Sequence, residues 1–122
     1  MERIEEFVID NKNFMYVDLS NFITPENAAV KLEEIKKAIA KYPDKSLYTI
    51  TNIGNMKFDS KTKNLATDYM KHNDPYVKYG AAIGLDGIKK FLISSIMKLS
   101  GRNNIHFAFT KEQAINWLLK QE

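Results

Sequence analysis

Residues 47–60 of the sequence, LYTITNIGNMKFDS, decide the fold because a strand, a turn and a helix start follow one another there. The apolar and β-branched run Leu47–Ile53 has the length and composition of a buried strand. The Asn and Gly residues after it favour a turn. Asp59 and Ser60 then precede an amphipathic segment that ends at Asn73-Asp74-Pro75, so we predict a helix between these points. A strand leading directly into a helix is the building unit of an α/β sheet.

The same alternation extends towards the amino terminus. Two apolar runs are separated by the polar residues 10–13, and this pattern predicts a β-hairpin with strands at Ile4–Ile9 and Phe14–Leu19. Thr24 has the chemistry of a helix cap, with Pro25 at the first helical position. Apolar residues then recur at helical spacing as far as Pro43, which we expect to end this helix.

Towards the carboxyl terminus the pattern predicts a strand, a helix, a strand and a final helix. The predicted segments are a strand at Val77–Gly84, a helix at Leu85–Ser100 closed by Gly101, a strand at Ile105–Phe109 and a helix opened by Thr110 and Gln113. Helical crossovers make neighbouring strands parallel. The sequence therefore predicts an α/β fold, with an amino-terminal hairpin followed by alternating helices and mostly parallel strands in a mixed five-stranded sheet.

Length and composition limit the possibilities further. A chain of 122 residues with 44% apolar content suits one domain with one core, and we expect a single domain over residues 1–122. The sequence contains no cysteine, which excludes disulfides and thiolate chemistry and fits a reducing compartment. The acidic start and the lack of a run of about 18 apolar residues predict a cytoplasmic protein without a membrane span.

Charge is distributed unevenly along the chain. Residues 1–56 carry 7 basic and 9 acidic side chains, whereas residues 57–122 carry 11 basic and 6 acidic ones. All basic residues except Arg3 and Arg102 are lysines, which lack the forked geometry that suits phosphate and guanine. We therefore expect no nucleic-acid partner.

Small and polar residues follow the predicted parallel strands, where α/β sheets bind ligands. They form a candidate binding crevice of Asp18, Ser20, Asn52, Gly54, Asn55, Asp59, Gly84 and Asp86. The same residue types are also ordinary turn formers and helix caps, so a purely structural role is the alternative.

The residues with catalytic potential do not form a recognisable pattern. His72 and His106 are the only histidines and lack neighbouring ligands at metal spacing, so we expect no metal site. The glycines around Gly84 do not have the spacing of a nucleotide-binding motif, and we expect no cofactor. An enzyme using Asp18 or Asp86 as acid or base remains a further interpretation, but a non-enzymatic protein is the prediction.

The helix predicted at residues 85–100 is apolar over more than one face. We assign its core stripe to Leu85, Ile88, Phe91, Leu92, Ile96 and Leu99. Ile93 and Met97 project outside that stripe, so they are predicted to be covered by a neighbouring helix or to form an interaction surface, for example in a homodimer.

Four segments together resemble the SpoIIAA-like group of STAS domains, which includes anti-sigma-factor antagonists. They are YVDLSNF at Tyr16–Phe22, LYTITNIGNMKF at Leu47–Phe58, YVKYGAAIGLDGIKKF at Tyr76–Phe91 and EQAINWL at Glu112–Leu118. The resemblance implies a mixed sheet flanked by helices. In antagonist members a serine at a helix start, in a D-S-x-G setting, is phosphorylated by a partner kinase that is also an anti-sigma factor. Here Asp59-Ser60-Lys61-Thr62 keeps Asp-Ser and lacks the glycine.

Ser60 is therefore the candidate phosphoacceptor, with Lys57, Lys61 and Lys63 close enough in sequence to pair a phosphate. The alternative is that Asp59 or Ser60 serves only as the cap of the helix. The predicted function is a regulatory or protein-interaction domain whose partner is a kinase or an anti-sigma-like regulator. The alternative is a small-molecule or lipid-binding domain that uses the crevice at the strand ends, because STAS folds are similar to CRAL-TRIO lipid carriers.

Overall fold

The structure is a computed structural model, and it describes residues 4–20, 25–56 and 59–121. These residues form five strands and four helices. In chain order they are β1 (Ile4–Ile9), β2 (Lys12–Asp18), α1 (Pro25–Ile39), β3 (Leu47–Asn52), α2 (Ser60–Asn73), β4 (Val77–Ile83), α3 (Gly87–Ser100), β5 (Ile105–Phe107) and α4 (Lys111–Leu119). The predicted α/β class and element order are confirmed.

All five strands belong to one sheet in the order β1-β2-β3-β4-β5. β1 is antiparallel to β2, and the remaining neighbours are parallel, which confirms the predicted mixed sheet. The hairpin turn is tighter than predicted, because only Asp10 and Asn11 separate β1 from β2. Both residues have positive φ, at 52° and 64°, as a type I′ turn requires.

Helices cover both faces of the sheet. The face with Leu47 and Ile53 packs against α1, α2 and α3, whereas the face with Tyr48 and Ile50 packs against α4. The alternation of side chains along β3 produces these two cores from one strand. Ile35 of α1 is fully buried on the first face, and burying such a side chain stabilises the fold by about 1.5–3 kcal/mol.

Several predicted boundaries move by a few residues. α1 ends at Ile39 rather than at Pro43, because Lys41 and Tyr42 already donate their backbone N–H groups to carbonyls three residues back. α3 begins at Gly87 rather than at Leu85, since Asp86 is its cap.

Two strands are shorter than predicted. β4 ends at Ile83, because Gly84 turns the chain with φ +81°. β5 ends at Phe107, and only the N–H of Ala108 continues the pairing, to Ala82. The predicted cap Thr24 lies outside the described residues. None of the described helices is long and apolar enough to span a membrane.

Candidate functional site

The carboxyl ends of β2, β3 and β4 lie side by side, as their parallel arrangement requires. Gly84 is so close to the turn after β3 that an added Cβ would stand 2.7 Å from the backbone nitrogen of Gly54. A Cβ on Gly54 would in turn stand 3.2 Å from Oδ1 of Asn52 and 3.9 Å from Cβ of Ser20. The structure thus brings four predicted crevice residues together, with two glycine backbones in direct contact.

The polar side chains of this edge form hydrogen bonds with their own turns. Asp18 accepts hydrogen bonds through Oδ1 from the backbone N–H of Ser20, at 2.9 Å, and from its hydroxyl. Asn52 accepts through Oδ1 from the N–H of Gly54 at 2.9 Å and donates to the hydroxyl of Tyr16 at 3.2 Å. Asn55 has a positive φ of 59°, which suits an Asn in a turn. These contacts agree with the turn-forming alternative, while a binding role for the crevice stays a prediction.

Two aspartates of the predicted crevice are helix caps. Asp59 accepts a hydrogen bond from the N–H of Thr62 at 2.8 Å at the start of α2, and Asp86 accepts one from the N–H of Lys89 at 2.9 Å at the start of α3. Each satisfies a backbone donor that has no partner within the helix.

Ser60 is the first residue of α2 and is exposed. Because Asp59 supplies the cap, the hydroxyl of Ser60 is not needed for that purpose. Lys61 is exposed and Lys63 is half-buried on the same first turn. Lys57, the third predicted phosphate partner, lies outside the described residues.

The core stripe predicted for α3 is correct at Ile96, which is buried, and wrong at Ile88, Phe91 and Leu99, which are exposed. Ile93 is only 7% exposed and belongs to the core with Ile96, and Met97 packs partly buried against the same core. Of the two alternatives predicted for Ile93 and Met97, the structure therefore shows the covered one, and an exposed interaction surface at these residues is ruled out. An apolar helix with two plausible stripes gives no signal in the sequence that distinguishes them.

The outer face of α3 is apolar instead. Ile88 is 75% exposed, Phe91 73% and Leu99 59%, and their spacing aligns them along one side of the helix. Phe109 is also exposed, at 78%, and Nζ of Lys90 lies 5.2 Å from the centre of its ring. We call Ile88, Phe91 and Leu99 the α3 outer surface. Exposed aromatic and branched side chains in such a row are typical of interaction sites.

A cavity of about 80 Å³ lies between the sheet and the helices that cover its first face. Its wall is mostly apolar and includes Ile53, Met56 and Ile93. Tyr69 and Arg102 are polar members of the same wall.

Arg102 is 5% exposed, which is unusual for an arginine. Its Nε lies 2.9 Å from Oδ1 of Asn104 and 3.4 Å from Oδ1 of Asp74, and its Nη1 donates to the carbonyl of Met70 at 3.3 Å. The remaining amino group, Nη2, is buried and has no hydrogen-bond partner within the described part of the chain. Gly101 makes this placement possible, because its φ of 75° ends α3 and turns the chain inwards.

Burial changes the ionisation of two groups in the cavity wall. It lowers the pKa of the Arg102 guanidinium, although the nearby Asp74 carboxylate opposes the shift. It also raises the pKa of the Tyr69 hydroxyl well above its ordinary value, and Asn73 and Arg102 only partly offset the shift. At neutral pH the cavity wall therefore combines the Arg102 cation and the neutral Tyr69 hydroxyl with the side chains of Thr49, Thr51 and Asn73.

The sequence prediction missed Arg102, because it treated basic residues as surface charge. The available signal was its type and position, since it is an arginine in a lysine-rich chain and follows the glycine that ends a helix. Arginine is favoured over lysine where a buried cation needs several hydrogen bonds.

The two histidines occupy separate places. His106 stacks on Trp117 with ring centres 4.3 Å apart, and His72 forms a 2.9 Å hydrogen bond with Oδ1 of Asn73. Among residues 4–20, 25–56 and 59–121, no group of three His, Asp or Glu side chains is arranged to hold a metal ion.

Comparison with solved structures identifies the fold. The chain is similar to the anti-sigma factor antagonist SpoIIAA in its unphosphorylated form, with a TM-score of 0.60 and 15% identity over 98% of each chain. It is also similar to the protein TM1081, determined by NMR, with a TM-score of 0.60 and 10% identity over 95% of this chain and 88% of the other. No family model and no curated protein matches the sequence. The chain therefore has a SpoIIAA-like fold, as the sequence resemblance implied.

Proposed function

We propose that this protein is a non-enzymatic regulatory domain that binds a partner protein through the α3 outer surface. The exposure of Ile88, Phe91 and Leu99 along one helix face is the observation that carries the proposal. A folded chain that leaves a Phe and two branched side chains in water gains stability when a partner covers them. The fold supports the same conclusion, because the similar SpoIIAA is an anti-sigma factor antagonist.

The charge of α3 defines the partner further. Its residues 87–100 include Lys89, Lys90 and Lys98 and no acidic side chain. A second copy of the same surface would bring like charges together, which disfavours a symmetric dimer through α3. The partner proposed here has an apolar patch bordered by Asp and Glu side chains.

Ser60 is proposed as the switch of this interaction. A phosphate on Ser60 would lie at the positive end of the α2 dipole, with Lys61 on the same turn. β3 and β4 are parallel neighbours, so α2 and α3 both begin at the same edge of the sheet. A partner that covers Ile88 at the start of α3 would therefore be close to charge added at Ser60, and acidic groups on that partner would be repelled by it.

The docking proposal is tested by comparative pull-down from lysate of the source organism. We expect wild-type protein and Val30→Asp to retain the same partner, whereas Phe91→Asp loses it. Val30 is the matched control, because it is 66% exposed on α1. Equal capture by all three proteins would refute docking at α3.

Light scattering on the same three proteins tests whether a second copy of the chain binds the α3 outer surface instead. A concentration-dependent dimer that Phe91→Asp abolishes would show that a second copy binds this surface, which would contradict the proposed acidic partner.

The switch is tested by intact-mass measurement after incubation with ATP and lysate kinases. We expect one phosphate on the wild type and none on Ser60→Ala. We also expect phosphorylated protein to release the partner captured above. An unchanged mass, or capture unaffected by the phosphate, would refute the role of Ser60.

A further inference from the structure

The two edges of the sheet differ in length and protection. β5 forms one edge with three residues, whereas β1 forms the other with the six residues Ile4–Ile9. Proteins often shorten or bulge an edge strand, or place lysine or proline in it, because its free backbone groups can pair with another chain. β1 has the sequence IEEFVI and a regular register against β2, so it shows none of these protections. Among the described strands, its only neighbour is β2.

The direction of the backbone groups along β1 follows from the pairing of the sheet. The N–H of Leu19, just after β2, donates to the carbonyl of Asn52 in β3 at 2.8 Å. Backbone groups alternate in direction along a strand, so the odd-numbered positions of β2 face β3 and the even-numbered positions face β1. The even-numbered residues of β2 stand opposite the odd-numbered residues of β1. The N–H and C=O groups of Ile4, Glu6 and Val8 therefore point outwards from the free edge.

The two faces beside this edge differ in charge. On the face that α1 covers, Glu6 is exposed, and its partner within the described part of the chain is the neutral hydroxyl of Tyr42, at 2.6 Å. On the opposite face Glu5 is paired with Lys111 at 2.8 Å, beside the half-buried ring of Phe7. Side chains of neighbouring strands interact in pairs. An added strand is therefore favoured when it places a cation beside Glu6 and an apolar side chain beside Phe7.

A second copy of β1 is a poor occupant of this edge. β1 carries two glutamates and no basic side chain, so pairing with its own copy would bring like charges together. Like charges on neighbouring strands destabilise a sheet, and charged side chains on an edge are one way in which proteins prevent self-association. The same glutamates attract a basic strand.

We propose that the free edge of β1 binds an extended, basic segment of a partner protein by strand addition. The segment exchanges backbone hydrogen bonds with Glu6 and Val8. It places a lysine or arginine beside Glu6 and apolar side chains beside Phe7. This edge is separate from the α3 outer surface, for which an acidic partner is proposed, so the two proposals stand or fall independently.

The test uses a peptide of about seven alternating lysine and valine residues, which is long enough to pair with β1. It is added to the full chain labelled with ¹⁵N, and amide exchange is measured by NMR. We expect exchange at Glu6 and Val8 to become about tenfold slower in the saturated complex, because these N–H groups gain an acceptor. The amides of Glu5 and Phe7 face β2 and should change little. Protection without this alternation, or no saturable binding, would overturn the proposal.

Charge recognition is tested with a second peptide that has glutamate in place of lysine. We expect the wild type to bind it about tenfold more weakly, and Glu6→Lys to reverse this preference. Glu34→Lys is the matched control, because it changes the net charge equally at an exposed site on α1. It should keep the preference of the wild type. An unchanged preference in Glu6→Lys, or an equal reversal in Glu34→Lys, would overturn the proposal.

Strand addition is tested by removing one outward N–H. Val8 is 65% exposed, and proline is tolerated on an edge strand where the N–H faces solvent. We expect Val8→Pro to bind the lysine peptide about tenfold more weakly, whereas Val8→Thr, which keeps the N–H, binds it normally. If Val8→Pro loses the dispersed spectrum of the native protein, a peptide methylated at its backbone nitrogens replaces it and should not bind the wild type. Full affinity in either experiment would overturn the proposal.

Two further measurements separate this site from other modes of association. A dimer in light scattering that Val8→Pro abolishes and Val8→Thr retains would show that a second copy occupies the edge, which would overturn the basic partner. Phe91→Asp should bind the lysine peptide as the wild type does, whether or not α3 binds a partner. A loss of peptide affinity in Phe91→Asp would place the peptide on α3 and would also overturn the proposal.

Discussion

Replacing Gly84 by alanine tests whether close backbone contact, rather than chain flexibility, requires glycine at the edge of the sheet. Gly84 has φ +81°, and an added Cβ would lie 2.7 Å from the nitrogen and 2.9 Å from Cα of Gly54. Both atoms belong to the backbone, so the clash can be relieved only by moving one strand end. Gly101 offers a matched control, because its φ is +75° and its Cβ would meet nothing within 4 Å.

The two substitutions share one cost and differ in another. A left-handed conformation costs an alanine about 1–2 kcal/mol, and this is the whole expected effect of Gly101→Ala. Gly84→Ala adds the cost of forcing atoms into a filled space, typically about 1–3 kcal/mol. We therefore expect Gly84→Ala to lower the free energy of unfolding by about 2–5 kcal/mol, a large part of the total of about 5–15 kcal/mol for a small domain.

Urea denaturation of the wild type and both variants provides the measurement, with circular dichroism as the signal. The slope of free energy against urea concentration should stay the same, so that the midpoints report stability alone. Equal destabilisation of Gly84→Ala and Gly101→Ala would refute the contact between the two strand ends and leave only the backbone conformation as the reason for glycine.

Three further predictions concern the helix starts and one tyrosine. Gly87→Ala should stabilise the protein by about 0.4–1 kcal/mol in the same urea experiment. Gly87 is helical and lacks a positive φ, and an added Cβ would meet no atom within 4 Å. A loss of stability would contradict this prediction. Asp59→Ala should lower the free energy of unfolding by about 1 kcal/mol because it removes the cap of α2, whereas Asp59→Asn should lower it much less. An equal loss of stability in both variants would show that the charge of Asp59 matters and not its capping hydrogen bond. Burial and a 2.6 Å hydrogen bond to Glu6 raise the pKa of Tyr42 from 10.0 to about 12. The folded state thus holds the Tyr42 proton more tightly, so the stabilisation by this group is complete below pH 10 and is lost between pH 10 and about 12. Urea unfolding across this pH range should show a smaller decline in stability for Tyr42→Phe than for the wild type. Identical pH profiles of the two proteins would refute this prediction.

Local patterns predicted most of the fold, because each element carries its own signal. The presence of a turn within residues 10–13, the glycine after α3 and the cap before α4 are all set by backbone chemistry that a sequence displays directly. The order of elements then followed from strands that alternate with helices. The two-residue turn and the early end of α1 differ from the prediction, because local hydrogen bonds decide the exact boundaries of an element within a few residues.

The site was less predictable, since it depends on which faces meet in three dimensions. The gathering of Ser20, Asn52, Gly54 and Gly84 could be anticipated, because parallel strands end at the same edge. The burial of Ile93 and the exposure of Phe91 could not be anticipated, because the two sides of α3 on which they lie have similar apolar content. The buried position of Arg102 depends on how α2 packs over the end of α3, and the sequence signals only that an arginine follows the glycine that ends a helix.

The order of the strands has a consequence for how the chain folds during synthesis. Each strand pairs with the one made immediately before it, so the order in space repeats the order in time. None of the five described strands has to insert between two others that are already paired. The sheet can therefore grow from the ribosome by adding one strand at a time, and the three-residue β5 with α4 completes it last.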